Sequence, residues 1–193
     1  SLTFTTTNWN TAQTVTVTGV DDNLDDGDIT TTLTATASNT GGYAGTETAT
    51  TTLKTSDNDT AGITIAQTGT TDGSGNLLTT EAGSTSTFTV VLDAQPTADV
   101  TVTLSGADST EHSLSSSSLT FTTSNWNTAQ TVTVTGVDDS LDDGDITTTL
   151  TATASNTGGY AGTESATTSV KNTDDDIAGI TIAQGSTPLI TSE

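Results

Sequence analysis

The chain has 193 residues, 54 of them threonine, with no cysteine, methionine or arginine and only two lysines, Lys54 and Lys171. Twenty-four carboxylates leave a formal net charge of −22, which excludes a nucleic-acid partner because phosphate binding draws on Lys and Arg. The absence of cysteine removes disulfide staples and thiolate metal sites, and no run of about 18 apolar residues is present to insert into a membrane.

An acidic chain poor in aromatics suits disorder on composition alone, but here the apolar residues are arranged rather than scattered. Residues 1–67 realign with 118–184 at a shift of 117, with 58 of the 67 positions identical. The chain therefore reads as the second half of one repeat (1–59), a complete repeat (60–176) and the first strand of a third (177–193). In the alternative reading, 1–59 and 177–193 contribute to one split domain. Near-copies along one chain suit extenders and arrays better than catalytic domains, so no enzymatic activity is expected. No charged-then-apolar leader opens the chain, which reads as internal to a longer protein or as mature.

Within the complete repeat, apolar residues alternate with threonine in Ile63-Thr64-Ile65, Phe88-Thr89-Val90, Val100-Thr101-Val102-Thr103-Leu104, Leu119-Thr120-Phe121, Val132-Thr133-Val134 and Leu150-Thr151-Ala152. Threonine is β-branched and suits a pleated surface with one face in water, and period-two alternation is the strand signal. Seven strands are predicted, near 62–67, 84–93, 99–104, 117–123, 129–137, 146–154 and 162–170, separated by turn-forming Gly, Pro, Asn and Asp. In residues 1–59 the same reading places copies of the last four. Short strands at this spacing describe an Ig-like Greek-key β-sandwich, here in tandem repeat.

If these strands alternate in direction, the connections after the first, third and fifth and the exit from the seventh share one pole. Residues 62–176 hold fifteen carboxylates, and twelve fall there: Asp72, Glu81, Asp108, Glu111, Asp138, Asp139, Asp142, Asp143, Asp145, Asp174, Asp175 and Asp176. Carboxylates so gathered repel one another unless their pKa values rise or a cation sits among them. Six to eight oxygens from irregular loops suit Ca2+ better than Mg2+, and Zn2+ would want more imidazole than the single His112. An EF-hand centred on Gly144 fails because Leu141 and Leu150 would stand at ligand positions, and Ala161 breaks a glycine-rich nonapeptide.

The series Glu81-Ala82-Gly83, Phe88-Thr89-Val90-Val91-Leu92, Ser118-Leu119-Thr120-Phe121, Val132 to Asp145 and Asp174-Asp175-Asp176 resembles Calx-β domains. These are calcium-binding sandwiches first described in sodium–calcium exchangers and abundant in large RTX-type bacterial adhesins. The resemblance implies calcium ligation by Glu81, Asp138, Asp139, Asp142, Asp174, Asp175 and Asp176, and by the repeat counterparts Asp21, Asp22, Asp25, Asp57 and Asp59. The family's glycine-and-aspartate segment before the fourth strand is replaced by Asp108-Ser109-Thr110-Glu111-His112, where the ligand is assigned to Asp108. Asp143 and Asp145 are read as shaping the turn at Gly144. His112 is read as an exposed loop residue, and Lys54 and Lys171 as offsetting nearby acids. Trp9 and Trp126 are read as sealing the far end of the sandwich, with sugar stacking as their alternative, shared by Tyr43 and Tyr160. The implied role is a calcium-rigidified extender of a secreted bacterial cell-surface adhesin. Its partners would be neighbouring repeats of the same chain; the alternative is a glycan- or ligand-binding module.

Overall fold

The computed structural model describes residues 1–183, and no helix among them is long and apolar enough to cross a membrane. It divides into two units: Ser1–Asn23 with Gly27–Asp57, and Leu24–Asp26 with the chain from Asn58 onward.

In the first unit only a hairpin forms. Strands β1 (Ile29–Thr36) and β2 (Thr48–Thr55) pair antiparallel over eight rungs, from Ile29 opposite Thr55 to Thr36 opposite Thr48. The strands expected near 1–6 and 12–20 are absent. What survives is what is local: the turn at Thr5 is closed by the Thr5 N–H donating to Asn8 Oδ1 at 2.5 Å, as Thr122 donates to Asn125 Oδ1 at 2.6 Å in the second copy.

The second unit is an all-β sandwich of nine strands among the described residues. They are β3 (Ile63–Gln67), β4 (Leu77–Thr80), β5 (Thr85–Leu92), β6 (Val100–Ser105), β7 (His112–Leu114), β8 (Ser118–Phe121), β9 (Gln130–Gly136), β10 (Ile146–Ala154) and β11 (Ser165–Thr173). One sheet runs β4-β11-β10-β6-β8 and the other β3-β5-β9-β7. The alternating residues face inward as the period predicts: β5 and β6 present Phe88, Val90, Leu92, Val100, Val102 and Leu104 to a core completed by Phe121, Val132, Val134, Leu150 and Val170. Such packing stabilises by roughly 1.5–3 kcal/mol per large apolar side chain.

The repeat shows why the first unit stops at a hairpin. Residues 1–4 and 13–19 correspond to β8 and β9, whose ladders run to β6 and β5 in the first half of the repeat. Nothing in the first unit supplies those partners, and an unpaired ladder is not a strand. Hairpin β1-β2 corresponds to β10 and β11, which pair with each other and so carry their partner with them.

Two short strands lie beyond the seven expected. β4 comes from the first connection and pairs parallel to β11. β7 comes from the third connection and places His112 opposite Gly136. His112 is therefore a buried strand residue, not an exposed loop residue; its Nε2 meets Thr148 Oγ1 at 3.0 Å, and burial pushes its pKa down. The last strand begins three residues later than predicted, at Ser165. The Glu164 carboxylate accepts the N–H groups of Ala161 and Gly162, each at 3.0 Å, and holds that stretch as a turn. Residues 177–183 carry no strand, with Ile177, Ile180 and Ile182 exposed, and the rest of the expected third-repeat strand lies outside the described residues.

Candidate metal centre

The acidic pole is assembled by a backbone approach that only glycine permits. A Cβ on Gly136 would stand 2.1 Å from the Thr80 carbonyl oxygen and 2.6 Å from Asn172 Oδ1. With no side chain there, the end of β4 lies against the end of β9 and delivers Glu81 beside the acids that follow Val137. On its other side the Glu81 N–H donates to the Thr173 carbonyl at 3.1 Å, and Glu81 Oε2 accepts the Asp175 N–H at 3.2 Å.

Asn172, 1% exposed, ties three segments together. Its Nδ2 donates to Glu111 Oε2 and to the Val137 carbonyl, both at 3.3 Å, while Oδ1 accepts from Thr79 Oγ1 at 3.0 Å. Glu111 is held further by the Val137 N–H, which donates to its carbonyl at 2.9 Å.

Three groups of carboxylates result, the ligand atoms of each within 4.8 Å of one another: Glu81 with Asp174 and Asp176; Glu81 with Asp138 and Asp175; and Glu111 with Asp139 and Asp143. Two oxygens bound to one hard cation at about 2.4 Å stand at most about 4.8 Å apart, so each group has the span of a shared ion. Glu81 and Glu111 are 2% and 4% exposed. Both lysines are engaged elsewhere: Lys171 pairs with Asp145 at 2.7 Å and Lys54 with Asp28. The Lys171 hydrogen bond lowers the Asp145 pKa.

The electrostatics follow. At Glu81 the Asp175 N–H favours the charged form, but burial and the charges of Asp174, Asp139 and Glu111 outweigh it and raise the pKa. Burial, then the charges of Asp174, Asp175, Asp138 and Asp139, raise the pKa of Asp176. Asp176 Oδ2 is shielded from solvent and receives no hydrogen bond. Clustered anions and an oxygen with no donor are what a cation would satisfy.

Of the expected ligands, the structure brings Glu81, Asp138, Asp139, Asp174, Asp175 and Asp176 into these groups. It does not bring in Asp108, whose Oδ1 accepts from Thr110 N–H at 3.0 Å and Thr110 Oγ1 at 2.6 Å and closes its own turn. Glu111 stands in its place. Nor does Asp142 join, since its Oδ2 accepts the Ala178 N–H at 2.6 Å. Asp143, read as a turn former, belongs to the third group. Asp72 leaves the pole as well: it closes the turn between β3 and β4 by accepting from Asn76.

The counterparts Asp21, Asp22, Asp25, Asp57 and Asp59 fall in no such group among the described residues. The two glutamates around which the second unit gathers its acids, Glu81 and Glu111, lie in the half of the repeat that the first unit lacks. Local contacts do recur. Gly27 N–H donates to Asp57 Oδ2 at 2.6 Å, as Gly144 N–H donates to Asp174 Oδ2 at 2.7 Å. Asp25 Oδ2 accepts the Ala61 N–H at 2.7 Å, repeating the Asp142 bond to Ala178.

No family model matches the chain, and no curated protein sequence matches it. Solved structures match it only at low similarity. A protein from Caenorhabditis elegans like the MSP-domain family, SSP-19, is 11% identical over 52% of this chain and 94% of its own, with a TM-score of 0.34. The E. coli chaperone DraB is 8% identical over 62% of this chain, with a TM-score of 0.39, and the YadV chaperone 8% identical over 61%, with a TM-score of 0.37. This chain spans 58% and 54% of the lengths of those two chaperones.

At the opposite pole Tyr160 is buried, its hydroxyl donating to the Ala94 carbonyl at 2.8 Å, and Trp126 packs half-buried against the core. Tyr43 and Trp9, their counterparts, are exposed.

Proposed function

We propose that residues 60–176 form a calcium-stiffened spacer domain of a secreted bacterial surface adhesin, one of a row of repeats that holds a distal binding module away from the cell. The observation that carries this reading is the buried Glu81, shared by two carboxylate groups with no lysine, arginine or histidine among them. Four separate segments meet at this pole: the end of β4, the residues before β7, the connection after β9 and the exit from β11. An ion joining them would cross-link a chain that has no cysteine. Calcium suits the irregular, acid-rich set; magnesium demands octahedral order, and zinc would prefer nitrogen or sulfur.

The Calx-β resemblance supports the same role, and a spacer needs no catalytic step. Its partners in this reading are neighbouring repeats. The glycan alternative has no support at Tyr160, whose hydroxyl and ring are both turned into the fold.

Titration calorimetry of the metal-free chain with calcium tests the reading. Saturable uptake, a higher melting temperature in calcium than in EDTA, and a weaker response to magnesium are expected. Identical melting with and without calcium would defeat it.

A further inference from the structure

Strand β8 is the last strand of its sheet and pairs on one side only, with β6. The Leu104 N–H donates to the Ser117 carbonyl at 2.8 Å. Bonding alternates along an antiparallel ladder, so Ser117, Leu119 and Phe121 bond towards β6, while Ser118, Thr120 and Thr122 turn their backbone groups to the open side. A row of bare N–H and C=O groups invites another strand, and natural edges are commonly blunted by charge or proline. Neither is present here: Ser113 to Val137 contains no Asp, Glu, Lys, Arg or Pro, in a chain of net charge −22.

Side chains fill the row instead. Ser116 Oγ donates to the Ser118 carbonyl at 2.6 Å and accepts the Ser118 N–H at 3.3 Å. Gln130 Nε2 donates to the Thr120 carbonyl at 2.8 Å. The Thr122 N–H donates to Asn125 Oδ1 at 2.6 Å, and the Thr122 carbonyl accepts the Asn125 N–H at 3.3 Å. Five of the six outward groups are thereby taken, and among the described residues only the Thr120 N–H lacks a partner. Asn125 closes its own turn, but Gln130 opens β9 in the other sheet and reaches across to β8. In the first unit Gln13 Nε2 makes the same bond to the Thr3 carbonyl at 2.8 Å although no strand forms there, so local sequence sets the contact without help from the ladder.

We propose that Ser116 and Gln130 guard the free edge of β8, occupying its backbone groups so that a strand of another repeat cannot add to it. The repeat itself creates the need. With 58 of 67 aligned positions identical, neighbouring copies offer one another strands of matching pattern, and misassembly is the characteristic failure of such chains. This role is separate from that of any ion at the acidic pole.

The test compares the full chain with its Ser116→Ala/Gln130→Leu variant, which uncovers the Ser118 N–H and carbonyl and the Thr120 carbonyl. Hydrogen exchange of the Thr120 amide is followed by NMR at low and high protein concentration, with sedimentation alongside. In the variant this amide should slow by about tenfold or more as concentration rises, the scale of one or two backbone hydrogen bonds, and the sedimenting mass should rise with it; in the parent its exchange should not change. Gln95→Leu is the control. It deletes a bond of the same kind, from Gln95 Nε2 to the Thr123 carbonyl at 2.8 Å, outside the outward row, and should leave Thr120 exchange at parent values. Should the double variant lose its melting transition, Gln130→Leu alone uncovers the Thr120 carbonyl and is measured in the same way. Thr120 exchange that ignores concentration in a folded variant overturns the proposal, as does equal slowing in the parent or in Gln95→Leu. Association that protects other amides and leaves Thr120 exchanging freely overturns it too.

Discussion

Replacing Glu81 by glutamine separates a metal-binding carboxylate from a merely buried one, because the two roles predict opposite signs. Glutamine keeps the shape and can still accept the Asp175 N–H, now held at 3.2 Å, through its amide oxygen. It deletes the charge repelled by Asp174, Asp139 and Glu111. In EDTA the variant should thus melt at the same temperature as the parent or higher. In calcium it should lose stability, since Glu81 belongs to two of the three carboxylate groups. A ligand at a hundredfold its Kd stabilises by about 2.7 kcal/mol per site. For a domain of this size about 4 °C accompanies each kcal/mol, so the loss should be about 10 °C. Scanning calorimetry of both proteins, with excess calcium and with excess EDTA, gives the four melting temperatures required. A Glu81→Gln deficit that is the same in both buffers would refute the reasoning, for it would make Glu81 a structural hydrogen-bond acceptor with no ion.

Two further outcomes are expected. Because the folded protein raises the Asp176 pKa, Asp176→Asn in EDTA should be more stable than the parent at neutral pH. That advantage should vanish as pH falls towards about 4, where both folded and unfolded parent chains take up the proton; melting temperatures across this range check it, and a margin that widens with acid contradicts it. His112 works oppositely below about 6.5, but equally in both proteins, so it cancels. Gly136→Ala should destabilise the second unit by about 1–3 kcal/mol or more through its clash with the Thr80 carbonyl, read as an earlier urea midpoint. An unchanged midpoint would show that the approach of β4 to β9 is not tight.

The sandwich was legible because period-two alternation survives burial: Phe88, Val102, Val132 and Leu150 all face inward as their spacing says. The acidic pole was legible from strand order alone, and eight of its acids meet where that order puts them. What spacing could not show was competition for each carboxylate. Asp108 and Asp142 are taken by nearby N–H groups, and the Asp-Ser-Thr order at 108–110, typical of a side-chain-closed turn, was the available sign that Glu111 would replace Asp108. His112 misled because two polar neighbours hid a three-residue strand. Residues 1–20 misled for a different reason, since strand propensity says nothing about whether a ladder partner exists.

The parallel alignment of β4 with β11 bears on how this unit would carry load. Tension across its two ends, once past β3, draws β4 towards its beginning and β11 towards its finish. For parallel neighbours these pulls slide one strand along the other, so the four rungs from Leu77 opposite Val170 to Thr80 opposite Thr173 share the force at once instead of opening one by one. Glu81 and Asp174, the residues immediately past the last rung, sit in one carboxylate group, which places any ion held there in line with the shear.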